Sequence, residues 1–121
     1  MSTALDILLI EDNPGDARLI EEMLGDAGEL LERIDPGETS ADESRLHHES
    51  RLADGLDHLA TAEADVVLLD LDLPDSTGLE TLAAVIEATE WTPTVVLTGL
   101  RDEQTGIEAL QQGAQDYLVK D

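Results

Sequence analysis

The 121-residue sequence has no cysteine and only six basic residues, of which Lys120 is the sole lysine. Without thiols there can be no disulfide framework, no thiolate nucleophile and no cysteine-ligated zinc, and the chain suits a reducing compartment. So few cations leave no basic patch to displace counterions from a phosphate backbone, so no direct nucleic-acid binding is expected. No apolar run approaches the roughly 18 residues of a membrane span. The N-terminal MSTALD lacks the basic start and apolar stretch of a signal peptide. A soluble cytoplasmic protein with no membrane attachment is therefore expected. Internal repeats and composition shifts are also missing, so residues 1–121 read as one domain, long enough to bury a core without disulfides or structural metal.

What is abundant is acid. Twenty-nine aspartates and glutamates give a formal net charge of -23. Acid-rich chains are often disordered, but here 41% of the residues are hydrophobic and fall in ordered runs, which predicts a folded core under a solvated acidic skin. Glu21, Glu22, Glu87 and Glu90, expected on exposed helix faces, read as part of that skin. Compositions of this kind resemble those of salt-loving archaea.

Four short apolar runs stand out: Ile7 to Ile10, Val66 to Leu69, Val95 to Leu97 and Tyr117 to Val119. None alternates with polar residues, as expected of parallel strands covered on both faces. A first helix is predicted from Asn13 as N-cap with Pro14 in its first turn, and its stripe is Ile20, Met23, Leu24 and Ala27. Residues 32 to 44 mix Pro, Gly, Ser and acids without period and read as a long loop or hairpin. A weak second strand, Arg45 to Ser50, then leads into a short helix carrying Leu52, Leu56 and Leu59. Thr77 to Glu80 has the spacing of a capping box for a helix burying Leu79, Leu82, Ala83 and Ile86. A last helix is predicted from Asp102 to Gly113 with Ile107 and Leu110 inward, where Gly106 costs about 1 kcal/mol against alanine. The order βαβαβαβαβ predicts a doubly wound α/β fold. The chain stops at Asp121, where such a fold would add a closing fifth helix, so it is expected to be a piece of a longer polypeptide.

Each apolar run is followed by polar residues: Glu11 and Asp12, then Asp70, then Thr98, then Lys120. In open parallel sheets the crevice lies beyond the carboxyl ends of the strands where strand order reverses, so these side chains should converge there. Three carboxylates held together repel one another and draw protons unless a hard cation sits among them. Magnesium suits such a set, since it prefers oxygen and commonly bridges carboxylates to a phosphoryl group. Keeping a single lysine at this edge suits a compact cation that pairs with a carboxylate and an incoming phosphoryl oxygen.

The stretches LLIEDNPGDARLI, VVLLDLDLPDSTGLE, VVLTG and GAQDYLVK together resemble the receiver domains of two-component response regulators, over essentially the whole length. The resemblance implies a flavodoxin-like parallel five-stranded sheet of order 2-1-3-4-5. It implies a magnesium site from Glu11, Asp12, Asp70 and the backbone carbonyl of Asp72, with Asp70 as the phosphoryl acceptor. Pro74 and Gly78 would shape the loop that follows. Thr98 and Lys120 would contact phosphoryl oxygens, and the Tyr117 rotamer would report phosphorylation. A sensor histidine kinase or phosphotransfer protein is implied as donor, an output domain as effector, and homodimerisation through the fourth and fifth elements is compatible with it. The domain would not be an enzyme in the usual sense, since its chemistry is self-phosphorylation and slow autodephosphorylation. Asp121 stands where the family usually has proline.

Two other readings remain at this level. DLDLP resembles the DxD motif of haloacid dehalogenase-type phosphatases, with Asp70 as nucleophile and Asp72 as acid-base, although Pro74 and the position of the motif in the chain fit poorly. A receiver-like interaction module that is never phosphorylated is the other. His47, His48 and His58 show no ligand spacing and read as surface or partly buried residues. Trp91, before Pro93, falls at the end of its strand remote from the crevice.

Self-repulsion at -23 weakens the compact state, and about 1 M salt shortens the Debye length to roughly 3 Å. The chain is expected to lose far-UV helical signal on dialysis from concentrated to low salt. An unchanged spectrum would contradict this.

Overall fold

The computed structural model describes residues 5–22, 45–89, 91–99 and 101–120. Five parallel strands form the central sheet: β1 (Asp6–Ile10), β2 (Arg45–Glu49), β3 (Val66–Asp70), β6 (Thr94–Thr98) and β7 (Asp116–Val119), in the order β2-β1-β3-β6-β7. This is the doubly wound order expected from the sequence. Strand order reverses at β1, whose neighbours are β2 and β3, so the crevice opens above Glu11 and Asp70.

Helix α1 runs over residues 14–22, α2 is Leu52–Thr61, α3 is Leu79–Ala88 and α4 is Glu103–Gln111. The aliphatic strands serve both layers because successive side chains point to opposite faces. Leu8, Ile10, Val67, Leu69 and Val96 pack in one cluster with Leu52, Leu82, Val85 and Ala109 from α2, α3 and α4. Ile7, Leu9, Leu68 and Leu97 face the other way, onto Ala17 and Ile20 of α1. Each such side chain contributes about 1.5–3 kcal/mol when fully buried. Met23, Leu24, Ala27 and the predicted 32–44 loop lie outside the described residues.

The start of α1 is as the sequence indicates: the Asn13 side-chain oxygen accepts from the amides of Gly15 (2.8 Å) and Asp16 (3.1 Å). The start of α3 is not. Thr77 is taken up in a two-stranded antiparallel ribbon, β4 (Asp72–Leu73) with β5 (Ser76–Thr77), so no capping box forms. The chain enters α3 through Gly78 at φ 79°, ψ -165°, a conformation that only glycine adopts without strain. The ribbon's Ser76 hydroxyl pairs with the buried Thr81 hydroxyl at 2.6 Å. Asp75, in the turn of the ribbon, accepts from the amides of Leu52 and Ala53, both at 2.9 Å, and so caps α2 from a distant part of the chain. Those amides hold its carboxyl below the usual range.

Two predicted helix faces are also corrected. On α3, Val85 is buried and Ala83 exposed, with Leu82 inward as expected and Leu79 and Ile86 half-buried. On α4, Ile107 and Leu110 are 42% and 39% exposed, and Gly106 and Ala109 face the core instead. The reason is steric. A Cβ at Gly106 would stand 2.6 Å from the Tyr117 ring, so the helix lays its glycine on the aromatic and rotates its larger residues outward.

Gly106→Ala separates helix propensity from packing. Propensity alone predicts about 1 kcal/mol of stabilisation, whereas overpacking typically costs about 1–3 kcal/mol. A lower urea midpoint with displaced Tyr117 ring resonances is expected, and a stabilised variant would contradict the packing.

Candidate functional site

The carboxyl ends of β1, β3, β6 and β7 bring together residues that lie up to 109 positions apart. Glu11 follows β1, is fully buried, and accepts from the Asn13 amide through Oε1 at 3.1 Å. Asp70 ends β3, is 7% exposed, and accepts from the Asp72 amide through Oδ1 at 3.1 Å. Lys120, just past β7, sends Nζ to Glu11 Oε2 at 2.9 Å, Asp16 Oδ2 at 3.1 Å and Asp70 Oδ2 at 3.3 Å. Its backbone amide donates to the Thr98 carbonyl at 2.6 Å, which anchors the lysine to the neighbouring strand.

One ligand oxygen from each of Glu11, Asp12 and Asp70 lies within 4.8 Å of the other two. Asp12 is exposed at the lip of the crevice, and Glu11 and Asp70 form its floor. Asp72 lines the crevice too, but its exposed carboxylate is not in that three-acid cluster, which offers no support for an acid-base pair of Asp70 and Asp72. Thr98 is buried, and its hydroxyl donates to the Leu118 carbonyl at 3.3 Å. Tyr117 stands one residue away, half-buried under Gly106. Trp91 is 92% exposed, remote from these residues, as its place before β6 suggests.

The electrostatics follow from the crowding. Burial, and then the hydrogen-bonded neighbour Asp70, raise the Glu11 carboxyl from 4.5 to about 7, although Lys120 and the Asn13 amide pull it down. For Lys120, burial works against the charged form, but the hydrogen bonds to Glu11 and Asp16 and the charge of Asp70 outweigh it and hold the ammonium well above its ordinary value. Three carboxylates, Glu11, Asp16 and Asp70, thus share one fixed cation, with Asp12 close by. The donors are all hard oxygens, and the arrangement suits a small divalent ion that would relieve the remaining repulsion.

Asp16 is the member that sequence reasoning missed. It lies in the first turn of α1, and its contact with Lys120 spans 104 positions, so no local spacing signalled it. The second missed residue is Asp75, whose capping of α2 depends on the β4–β5 ribbon.

The chain is similar to known proteins along nearly its whole length. The chain is 32% identical over 114 residues to the cell cycle transcriptional regulator CtrA of Caulobacter vibrioides, covering 94% of this chain and 43% of that protein. It is 42% identical over 67 residues to the regulatory protein LuxO of Vibrio cholerae, covering 55% and 15% respectively. The chain therefore spans less than half the length of these relatives. Among solved structures, a response regulator receiver domain protein from Clostridium thermocellum superimposes with a TM-score of 0.65 at 26% identity, covering 96% of this chain and 82% of that one. A two-component response regulator from Clostridium difficile gives 0.72 at 19% identity, covering 96% and 83%. Residues 7–121 match the response regulator receiver domain, and the chain belongs to that family of phospho-accepting signalling domains.

Proposed function

We propose that Asp70 takes the phosphoryl group, delivered from a phosphohistidine on a sensor histidine kinase or phosphotransfer protein. The observation that carries this is the contact of one ammonium, Lys120, with both Glu11 and Asp70 on the floor of the crevice. An Asp70 carboxylate oxygen attacks phosphorus in line, the O–P bond forms as the P–N bond breaks, and the imidazole leaves. Lys120 is already placed to meet a phosphoryl oxygen beside Asp70, and its raised pKa keeps it charged throughout. Water then hydrolyses the acyl phosphate slowly, with the exposed Asp72 beside its path.

The Glu11, Asp12 and Asp70 oxygens, with the Asp72 backbone carbonyl, would hold magnesium. The bound ion supplies neutralisation of both reactants and orientation of the phosphoryl oxygens. Glu11 must be ionised to serve it, which the chain itself makes costly near neutral pH.

Signalling would follow from Thr98. A phosphoryl oxygen that captures its hydroxyl removes the hydrogen bond to the Leu118 carbonyl, next to the ring that α4 rests on. The surface most affected is the outer face of α4, where Ile107 and Leu110 are exposed and apolar, and this supports an output domain, target protein or second copy docking there. The cysteine-free composition supports a cytoplasmic setting, and the net charge of -23 supports one rich in salt. No helix among the described residues is long and apolar enough to cross a membrane.

Incubation with a small phosphodonor such as acetyl phosphate and magnesium is expected to add one phosphoryl group by intact mass and none to Asp70→Asn. Label on that variant would refute the assignment, and repeated turnover of a phosphate ester would point to a phosphatase instead.

Magnesium affinity is expected to rise between pH 6 and 8 as Glu11 loses its proton near 7, and to lose this dependence in Glu11→Gln, both by calorimetry. The ion-free protein runs the other way. With a folded pKa above 4.5, Glu11 favours folding fully below that value, and the contribution is gone once pH passes about 7.

A further inference from the structure

A second cluster of ligating side chains lies on the far edge of the sheet. His47 and Glu49 alternate onto the same face of the edge strand β2, and His58 comes down onto that face from α2. His47 Nε2 is 2.7 Å from Glu49 Oε2. The His47 and His58 rings stack with centroids 4.0 Å apart and planes 16° from parallel. One ligand atom from each of the three residues lies within 4.8 Å of the others.

We infer that His47, Glu49 and His58 form a binding site for a transition-metal ion of the zinc type, separate from the acidic crevice. The donor chemistry differs from that of the crevice in kind. Two imidazoles and one carboxylate suit zinc, copper or nickel, whereas an all-oxygen set suits magnesium. Zinc bonds nitrogen and oxygen at about 2.0–2.2 Å, so tetrahedral ligand atoms stand about 3.3 Å apart. The His47–Glu49 pair is already inside that separation, and the His58 ligand atom, within 4.8 Å of both, would move in to complete the set. Stacked imidazoles are unfavourable when both carry charge, and ligation needs them neutral. Half-exposed His47 leaves a further coordination position facing the groove that Asp6, Arg45 and Glu63 also line.

Binding there would staple an edge strand to the helix that covers it. It would also reach the crevice through the backbone, because the Glu49 carbonyl accepts from the Glu11 amide at 3.0 Å. No sequence spacing reveals the site, since two ligands alternate on a strand and the third sits nine residues later on a helix.

The test is zinc titration of the whole chain in excess magnesium, followed by calorimetry and by the visible absorption of substituted cobalt. One equivalent of zinc is expected to bind, with affinity falling by more than about tenfold in His47→Ala and in His58→Gln and unchanged in Asp70→Asn. Phosphorylation of the histidine variants from acetyl phosphate reports that they are folded. In the unaltered protein, the ring resonances of His47 and His58 should shift together with zinc while His48 stays in place. Zinc uptake that persists in the double histidine variant, is lost in Asp70→Asn, or leaves the two rings unmoved would overturn the site.

Discussion

The structure turns on one ammonium. Lys120 contacts three carboxylates from three different elements, and two of them, Glu11 and Asp70, are buried. Two unit charges 4 Å apart interact by about 4 kcal/mol at an effective dielectric near 20, so a buried acid cluster without this cation would be driven to take up protons. Glu11 has gone part of the way even with the cation present. The lysine belongs to the strand at one edge of the sheet and Glu11 to a strand near the other, so the pair forms only when β1, β3, β6 and β7 are all in register. Assembly of the site and completion of the sheet are one event.

The segment after Asp70 is held as firmly as the strand before it. Leu71 and Leu73 are buried, the Gly78 amide donates to the Leu71 carbonyl at 2.7 Å, and Asp75 reaches across to the first amides of α2. The residues that border Asp70 are thereby tied to two helices. A change at Asp70 would meet these contacts to α2 and α3, beside the proposed path through Thr98 to α4. The apolar strand that begins at Val66 serves as a buried post, and the ribbon that follows fixes the angle at which its carboxylate is presented.

Helix faces and long-range polar contacts were the hard part to read. Leu52, Leu82 and Ile20 face the core as the apolar periodicity indicates. Ile107 and Leu110 mislead because hydrophobicity cannot register that Tyr117 needs a glycine beneath which to lie. Thr77 and Glu80 match a capping box, yet Thr77 pairs with Asp72 in the ribbon and cannot also cap. Asp16, Asp75 and the pairing of His47 with His58 depend on contacts between separate elements, and no local spacing encodes those.

The sequence by itself determined four aliphatic strands, a weaker second one and the polar residue after each apolar run, because continuous apolar runs bounded by turn and cap residues have few ways to be buried; the strand order came with the family resemblance. It also carried the family in its acid, threonine and lysine motifs. Only the tertiary structure decided which carboxylates share Lys120, which face of α4 meets the sheet, and which two histidines meet across β2 and α2. Those outcomes rest on distances of a few ångströms between segments far apart in the chain, where packing and charge settle what periodicity leaves undetermined.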